Sequence, residues 1–382
     1  MDIPVARVPS GRVRDRTPHV DAAIAGPAGA YAVLLGAAIS TVGISWDVEW
    51  HRDVGPDTFF TLPHLVLYSG SALAGIASLA MVLLSTSMQR AGRPVPPWMG
   101  GTPLRVFGGV FTAPLGYLVS GIGAASFLIY GLLDLVWHSI YGFDAVLSTP
   151  SHVALFLSIS ITMVGTVIVF AGAREQRWGR IGVVLAIPIL MLFAPIPVNA
   201  LNNFTLPVNP VVVGIVLFSP LLLLIGAGVL QRACAAVAIA VTLGTLQAAL
   251  WWFSPWAAKV YATSAGLPLR DGLIPSPPKL PSGAPMFLIV AAVAVEVLFW
   301  LSRTRGLDAR KMMLLAGVLT GLIVGLTLPV QQSLTDPTSP LSATDVVILG
   351  LLGIPLGALA GFLAARFTVM LHALAPVRKE FR

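Results

Sequence analysis

"AGAYAVLLGAAISTVGISWDVEWHRDVGPDTFFTLPHLVLYSGSALAGIASLAMVLLST", residues 28–86, decides how this chain is read. Two apolar runs, 28–46 and 62–86, flank a short polar stretch. A helix needs about 20 apolar residues to cross a hydrocarbon core of ~30 Å, and both runs approach or exceed that length. The connection between them therefore reads as a turn at a membrane surface. That turn and its edges (residues 45–68) gather three Asp, one Glu and two His in a chain that is only 10% charged.

The same reading extends outward. The chain has 382 residues, 56% of them hydrophobic, with a mean hydropathy of +0.87. Charged residues alone make up about 25% of an ordinary soluble domain. Further apolar runs occur at 112–136, 150–172, 180–198, 210–230, 233–252, 285–302, 312–331 and 344–368. The expected fold is an all-α polytopic transmembrane helix bundle of about ten spans. It divides into a basic tail at 1–27, a four-helix region at 28–172 and a six-span region at 173–382. The tail carries Arg7, Arg12, Arg14 and Arg16 and lacks the pattern of a cleaved secretory signal.

Loop charges give an orientation. Alternate connections hold Arg90, Arg93 and Arg105, then Arg174, Arg177 and Arg180, then Arg232, then Arg303, Arg305, Arg310 and Lys311. The intervening connections are poor in Lys and Arg. By the positive-inside rule both termini face the cytoplasm and the polar turn at 45–68 faces outward, in a plasma (bacterial inner) membrane. The net charge of +7 is spent in these loops and does not call for nucleic acid. Cys234 is the only cysteine, which excludes an intramolecular disulfide and a thiolate metal cluster. No Walker, G-x-S-x-G, H-E-x-x-H or Cys-x-x-Cys pattern occurs.

The polar turn has a second copy. "LLDLVWHSIYGFDAVLSTPSHVALF", residues 132–156, repeats D-x-x-W-H-x3-G-x-D-x5-P followed by His. Asp47, Trp50, His51, Gly55, Asp57, Pro63 and His64 align with Asp134, Trp137, His138, Gly142, Asp144, Pro150 and His152. Four of the six His and six of the 16 acidic residues fall in these two stretches, so the clustering is not a by-product of composition. Both copies face the same side, which makes them a parallel duplication of a two-helix unit.

Asp and His at i and i+4 share one helix face. Asp47 with His51, and Asp134 with His138, form such pairs, and His64 or His152 returns at the start of the next helix. Asp, His and His can thus converge as a metal-ligand set with open positions. Nitrogen and oxygen donors suit copper, zinc or iron. Asp57 and Asp144 are expected behind the imidazoles, accepting their ring N–H groups. The plainer alternative is a set of interfacial side chains, with Asp as helix caps and Pro63 and Pro150 at helix starts.

Lesser signals lie elsewhere. Glu296, inside "FLIVAAVAVEVLFW", is a candidate intramembrane proton relay or a protonated structural acid. Gln247 reads as an interhelical hydrogen-bonding group. The Pro-rich stretch 253–284 reads as an irregular cap over the outer surface.

The two triads resemble the C subunit of the copper membrane monooxygenases, the particulate methane, ammonia and short-alkane enzymes. That family carries D-x3-H-x12-H and then N-x3-H-x13-H. Asp47, His51 and His64 match the first spacing; Asp134, His138 and His152 match the second, with Asp in place of Asn. The resemblance covers roughly residues 28–172. It implies copper at both sets, with Asp47, His51 and His64 as catalytic residues in O2-dependent oxidation of a small apolar substrate. It also implies an external electron donor and partner membrane subunits, or else a homo-oligomer. The family's soluble copper-binding domains have no counterpart here, and Asp134 adds about one negative charge to the second set. Two rivals stand beside this reading: an intramembrane zinc-dependent hydrolase, and a non-enzymatic metal-handling or transport protein.

Overall fold

The computed structural model of the protein describes residues 22–142, 148–204, 208–273, 276–336, 338 and 340–375. Eleven helices account for nearly all of its regular structure: α1 (Ala22–Asp53), α2 (Leu62–Arg90), α3 (Leu115–Tyr141), α4 (Pro150–Gly172), α5 (Arg177–Phe193), α6 (Pro210–Leu230), α7 (Ala235–Ser264), the short α8 (Lys279–Gly283), α9 (Leu288–Arg305), α10 (Ala309–Thr335) and α11 (Ala343–Ala373). The protein is thus an all-α helix bundle of a polytopic membrane type. In lipid, each backbone N–H and C=O must be satisfied within its own segment, and long helices meet that demand.

Nine of the described helices are long and apolar enough to cross a membrane. The expected tenth, α9, has 18 residues and carries Glu296, Arg303 and Arg305, which takes it outside that class on charge. It nonetheless lies against α7 and α10. Its first turn adjoins Met286, whose N–H donates to Gln331 Oε1 at 2.7 Å, and its last turn adjoins the start of α10.

Three boundaries differ from the sequence expectation. Helix α1 starts at Ala22 and runs on to Asp53, so the Asp47/His51 pair sits inside its last turns. Helix α7 passes through Pro255 and ends at Ser264, converting part of the expected cap into helix. A two-stranded antiparallel hairpin, β1 (Pro103–Val106) with β2 (Phe111–Pro114), precedes α3. One hydrophobic core runs from Ala30 to Ala364 and includes residues on both sides of position 172.

The duplication extends into the packing. A Cβ on Gly36 of α1 would lie 2.6 Å from Gly70 O and 2.8 Å from Ala74 N of α2. A Cβ on Gly123 of α3 would lie 2.7 Å from Ser158 O and 2.5 Å from Thr162 N of α4. Gly36 and Gly123 stand equally far before Asp47 and Asp134; Gly70 and Ser158 stand equally far after His64 and His152. Gly29 against Met81 and Gly116 against Val169 repeat the correspondence one level further from the turns. Close approach through small residues is how helices associate where lipid removes the hydrophobic drive. Helices α10 and α11 use the same device, with Gly317, Gly321 and Gly325 against Leu349, Gly353, Gly357 and Gly361.

The bundle has two distinct ends. One gathers the α1–α2 turn, the end of α3, the start of α4 and residues 265–273 and 276–287, where Arg52 Nη1 donates to Ser276 O and Pro277 O, each at 3.0 Å. The other gathers the hairpin and the basic turns. There Arg174 Nη2 donates to Ala375 O at 2.9 Å and Thr102 Oγ1 to Leu374 O at 2.9 Å.

Gly321→Leu should be strongly destabilising, because its Cβ would strike Gly353 O and the Gly357 backbone. Overpacking of this kind costs about 1–3 kcal/mol or more. Gly244→Leu, where a Cβ meets nothing within 4 Å, should be near neutral. Thermal unfolding of both variants in detergent checks the contrast.

Candidate metal centres

The last turns of α1 hold Asp47 and His51 on one face. The chain then turns at Gly55, whose φ of 105° lies in the region that glycine alone adopts freely. The Trp50 indole N–H donates to Pro56 O at 2.9 Å and ties that turn to the helix end. Helix α2 starts at Leu62 with Pro63 in its first turn, so His64 points back toward α1. The expectation of a helix-start proline holds here and at Pro150, the first residue of α4.

Four ligand-type atoms converge as a result. His64 Nε2 lies 3.0 Å from Asp47 Oδ1 and 3.4 Å from Asp57 Oδ2; His51 Nε2 lies 2.9 Å from Asp57 Oδ2 and 3.8 Å from Asp47 Oδ1. All four atoms fall within 4.8 Å of one another. Asp57, expected behind the imidazoles, places its own oxygen among these atoms and has a side chain only 1% exposed. The His64 ring hydrogen-bonds through Nδ1 to Thr58 O at 2.9 Å. An Nδ1–H donating to that carbonyl leaves Nε2 with its lone pair toward the carboxylates, which is the orientation a metal ligand requires.

The second copy builds a parallel cluster. Asp134 Oδ1 lies 3.4 Å from His138 Nε2 and 3.7 Å from His152 Nε2, again within 4.8 Å overall. His138 Nδ1 lies 3.1 Å from Gly142 O, and Gly142, like Gly55, has positive φ, at 83°. His152 Nδ1 pairs with Thr149 Oγ1 at 2.9 Å, and Thr149 also caps α4. Asp144 lies outside the described residues.

The sequence signals missed three neighbours. Tyr68 stacks on His64, with ring centroids 6.0 Å apart, and reaches Phe127 of α3 at 5.8 Å, so it bridges the two helix pairs. Its counterpart in the second copy is Phe156, stacked on His152 at 6.1 Å. The period-four spacing of Tyr68 from His64 was the available signal. Glu49, fully buried, pairs with Arg52, which also reaches Asp53 at 2.9 Å. Arg270 completes this lock: its N–H donates to Asp53 O at 2.8 Å and its guanidinium covers Gly55.

Glu296 is not part of either cluster. Its Oε1 accepts the Ala236 N–H at 2.7 Å, at the first turn of α7, where Cys234 provides no side-chain cap. A carboxylate at a helix N-terminus satisfies an orphan donor and complements the helix dipole. Gln247 donates to Pro281 O and Ala284 O, both at 2.9 Å, so it anchors the α8 segment as well as α7. Comparison with protein families, curated proteins and solved structures finds no match for the chain.

Arg52→Ala should destabilise the protein by about 3–5 kcal/mol, since it leaves the Glu49 carboxylate buried without its partner. Adding Glu49→Gln should recover a large part of that loss. Thermal unfolding of the single and double variants measures both.

Proposed function

We propose that this is an integral membrane metalloprotein that holds copper in both Asp/His clusters and takes part in O2-dependent oxidation of a small apolar substrate, as the resemblance to the copper membrane monooxygenase C subunit implies. The observation that carries it is the twofold convergence of Nε2 and carboxylate atoms around one point in each copy. The donor set fits the metal. Imidazole nitrogens with carboxylate oxygens and no sulfur suit copper or zinc. Carboxylate oxygens of Asp47, Asp57 and Asp134 are buried without hydrogen-bond partners of good geometry, a state that a cation relieves.

In this reading Asp47, His51, His64 and Asp57 hold the first ion and Asp134, His138 and His152 the second. Bound copper would supply one-electron chemistry with O2. The chain's own residues orient and insulate. Thr58 O, Gly142 O and Thr149 Oγ1 fix the imidazole rings from behind. Trp50 and the Arg52–Asp53–Arg270 lock hold the turn that carries Asp57. Partner subunits or an external donor would deliver electrons, and the bilayer would deliver an apolar substrate.

One observation favours zinc-dependent hydrolysis as the second reading. Asp47 and Asp57 give the first cluster two carboxylates, whose charge matches a divalent ion without redox chemistry.

Metal analysis with EPR on purified protein separates the two. The wild type should carry one to two equivalents of copper, with nitrogen hyperfine structure in the Cu(II) signal. His51→Ala should lose about one equivalent with the fold retained, and His51→Ala/His138→Ala should lose both signals. Zinc without an EPR signal would transfer the assignment to the hydrolase. Unchanged metal content in the double variant would sink the site assignment altogether.

A further inference from the structure

We propose that the end of the bundle opposite the Asp/His clusters carries a binding site for the phosphate group of an anionic phospholipid, in the cleft between α6, α9, α10 and α11. This proposal is independent of the metal reading.

The cleft encloses about 430 Å³. Its rim carries Arg303 at the end of α9 and Arg310 at the start of α10, with Gln231 and Ser302 beside them. Neither arginine forms a salt bridge among the described residues, although both are exposed. The acid nearest in sequence, Asp308, is used as the cap of α10, accepting the Lys311 N–H at 2.8 Å. Two guanidinium groups therefore face the cleft with donors to spare, and a phosphate is the partner that guanidinium geometry matches best.

A second observation comes from inside the cleft. Thr368 of α11 is only 7% exposed, and its Oγ1 has no hydrogen-bond partner. Thr368 is one of the residues lining the cleft, and its hydroxyl is tucked against Gly228 of α6, where a Cβ would sit 2.6 Å from Thr368 Oγ1. A buried hydroxyl without a partner is an orphan that a phosphate oxygen drawn into the cleft would satisfy. His372 holds the wall in place, its Nε2 lying 3.2 Å from Val229 O.

The rest of the lining selects a lipid over a free anion. Phe299, Met313 and Val369 give the lining apolar surface, and Val369, 62% exposed, continues it onto the outside of the bundle. A headgroup phosphate can sit at the rim while its acyl chains follow that apolar flank. Basic pockets between membrane helices recognise lipid headgroups in this way.

The test uses the full-length protein in detergent, with native mass spectrometry and thermal melting. Phosphatidylglycerol, phosphatidylcholine and inorganic phosphate are the probes. Phosphatidylglycerol should be retained and should raise Tm, with phosphatidylcholine weaker. Arg303→Gln/Arg310→Gln should weaken phosphatidylglycerol binding by roughly tenfold or more. Arg90→Gln/Arg93→Gln removes the same charge from the same end outside the cleft and should leave binding unchanged. Thr368→Val should keep or raise the Tm of lipid-free protein while reducing the stabilisation by phosphatidylglycerol. Equal losses in the two double variants would reduce the effect to general surface charge and overturn the site. Displacement of phosphatidylglycerol by millimolar inorganic phosphate would reassign the cleft to a free anion and overturn the lipid.

Discussion

Close backbone contact within each helix pair sets everything at the Asp/His end of the molecule. The candidate ligands come from two helices and a turn, and their atoms converge within 4.8 Å. Side chains as short as Asp and His can meet that closely only if the helix ends are held near each other. Gly36 against Gly70 and Gly123 against Ser158 provide the approach. In lipid the gain comes from packing and from carbonyl contacts across the interface, not from water release. A larger residue at either glycine would push the pair apart along its length and open the cluster at its end. The fold and the site are in this sense one design, repeated.

The two copies differ in what surrounds them. Helix α1 packs on α5 and α7 as well as α2, whereas α3 packs chiefly on α2 and α4. The surroundings match. The first copy carries Glu49, Arg52 and Asp53, of which Arg52 bonds to Ser276 and Pro277 and Asp53 to Arg270; the second carries Val136, Ser139 and Ile140 at the corresponding places. Val136 and Ile140 are more than half exposed. A charged network is tolerable at the first position because Arg52 pairs with both Glu49 and Asp53 there. At the second, an apolar surface suits a helix on the periphery of the bundle.

Much of this was legible in the sequence, for physical reasons. Long apolar runs announce helices in lipid, and the i,i+4 pairing of Asp with His is a helical-face signal whatever the tertiary context. The glycines of the motif announced turns, and Gly55 and Gly142 take the positive φ that turns demand. What escaped depended on distant chain segments. Asp57 reads as a supporting group until the Gly55 turn aims it inward. Glu296 reads as an isolated membrane carboxylate until α7 is placed with its uncapped first turn beside it. Gln331, whose Nε2 donates to Ser282 O and Ala284 O, belongs to a polar clasp that includes Gln247. No local pattern links α10 to α8. The 103–114 hairpin and the run of α7 through Pro255 to Ser264 were hidden because local breakers outweighed the tertiary packing that overrides them.

The duplication kept the geometry of the helix ends and changed their neighbours. Both copies fix their second histidine in the first turn of a helix started by proline, and both anchor a ring nitrogen on a backbone carbonyl near the turn. Yet Tyr68 stacks on the second histidine of the first copy where Phe156 stacks on that of the second. Charge held away from solvent must be balanced locally. Two ionised carboxylates around one point, as Asp47 and Asp57 stand in the first cluster, need a doubly charged partner, whether one divalent ion or two protonated imidazoles.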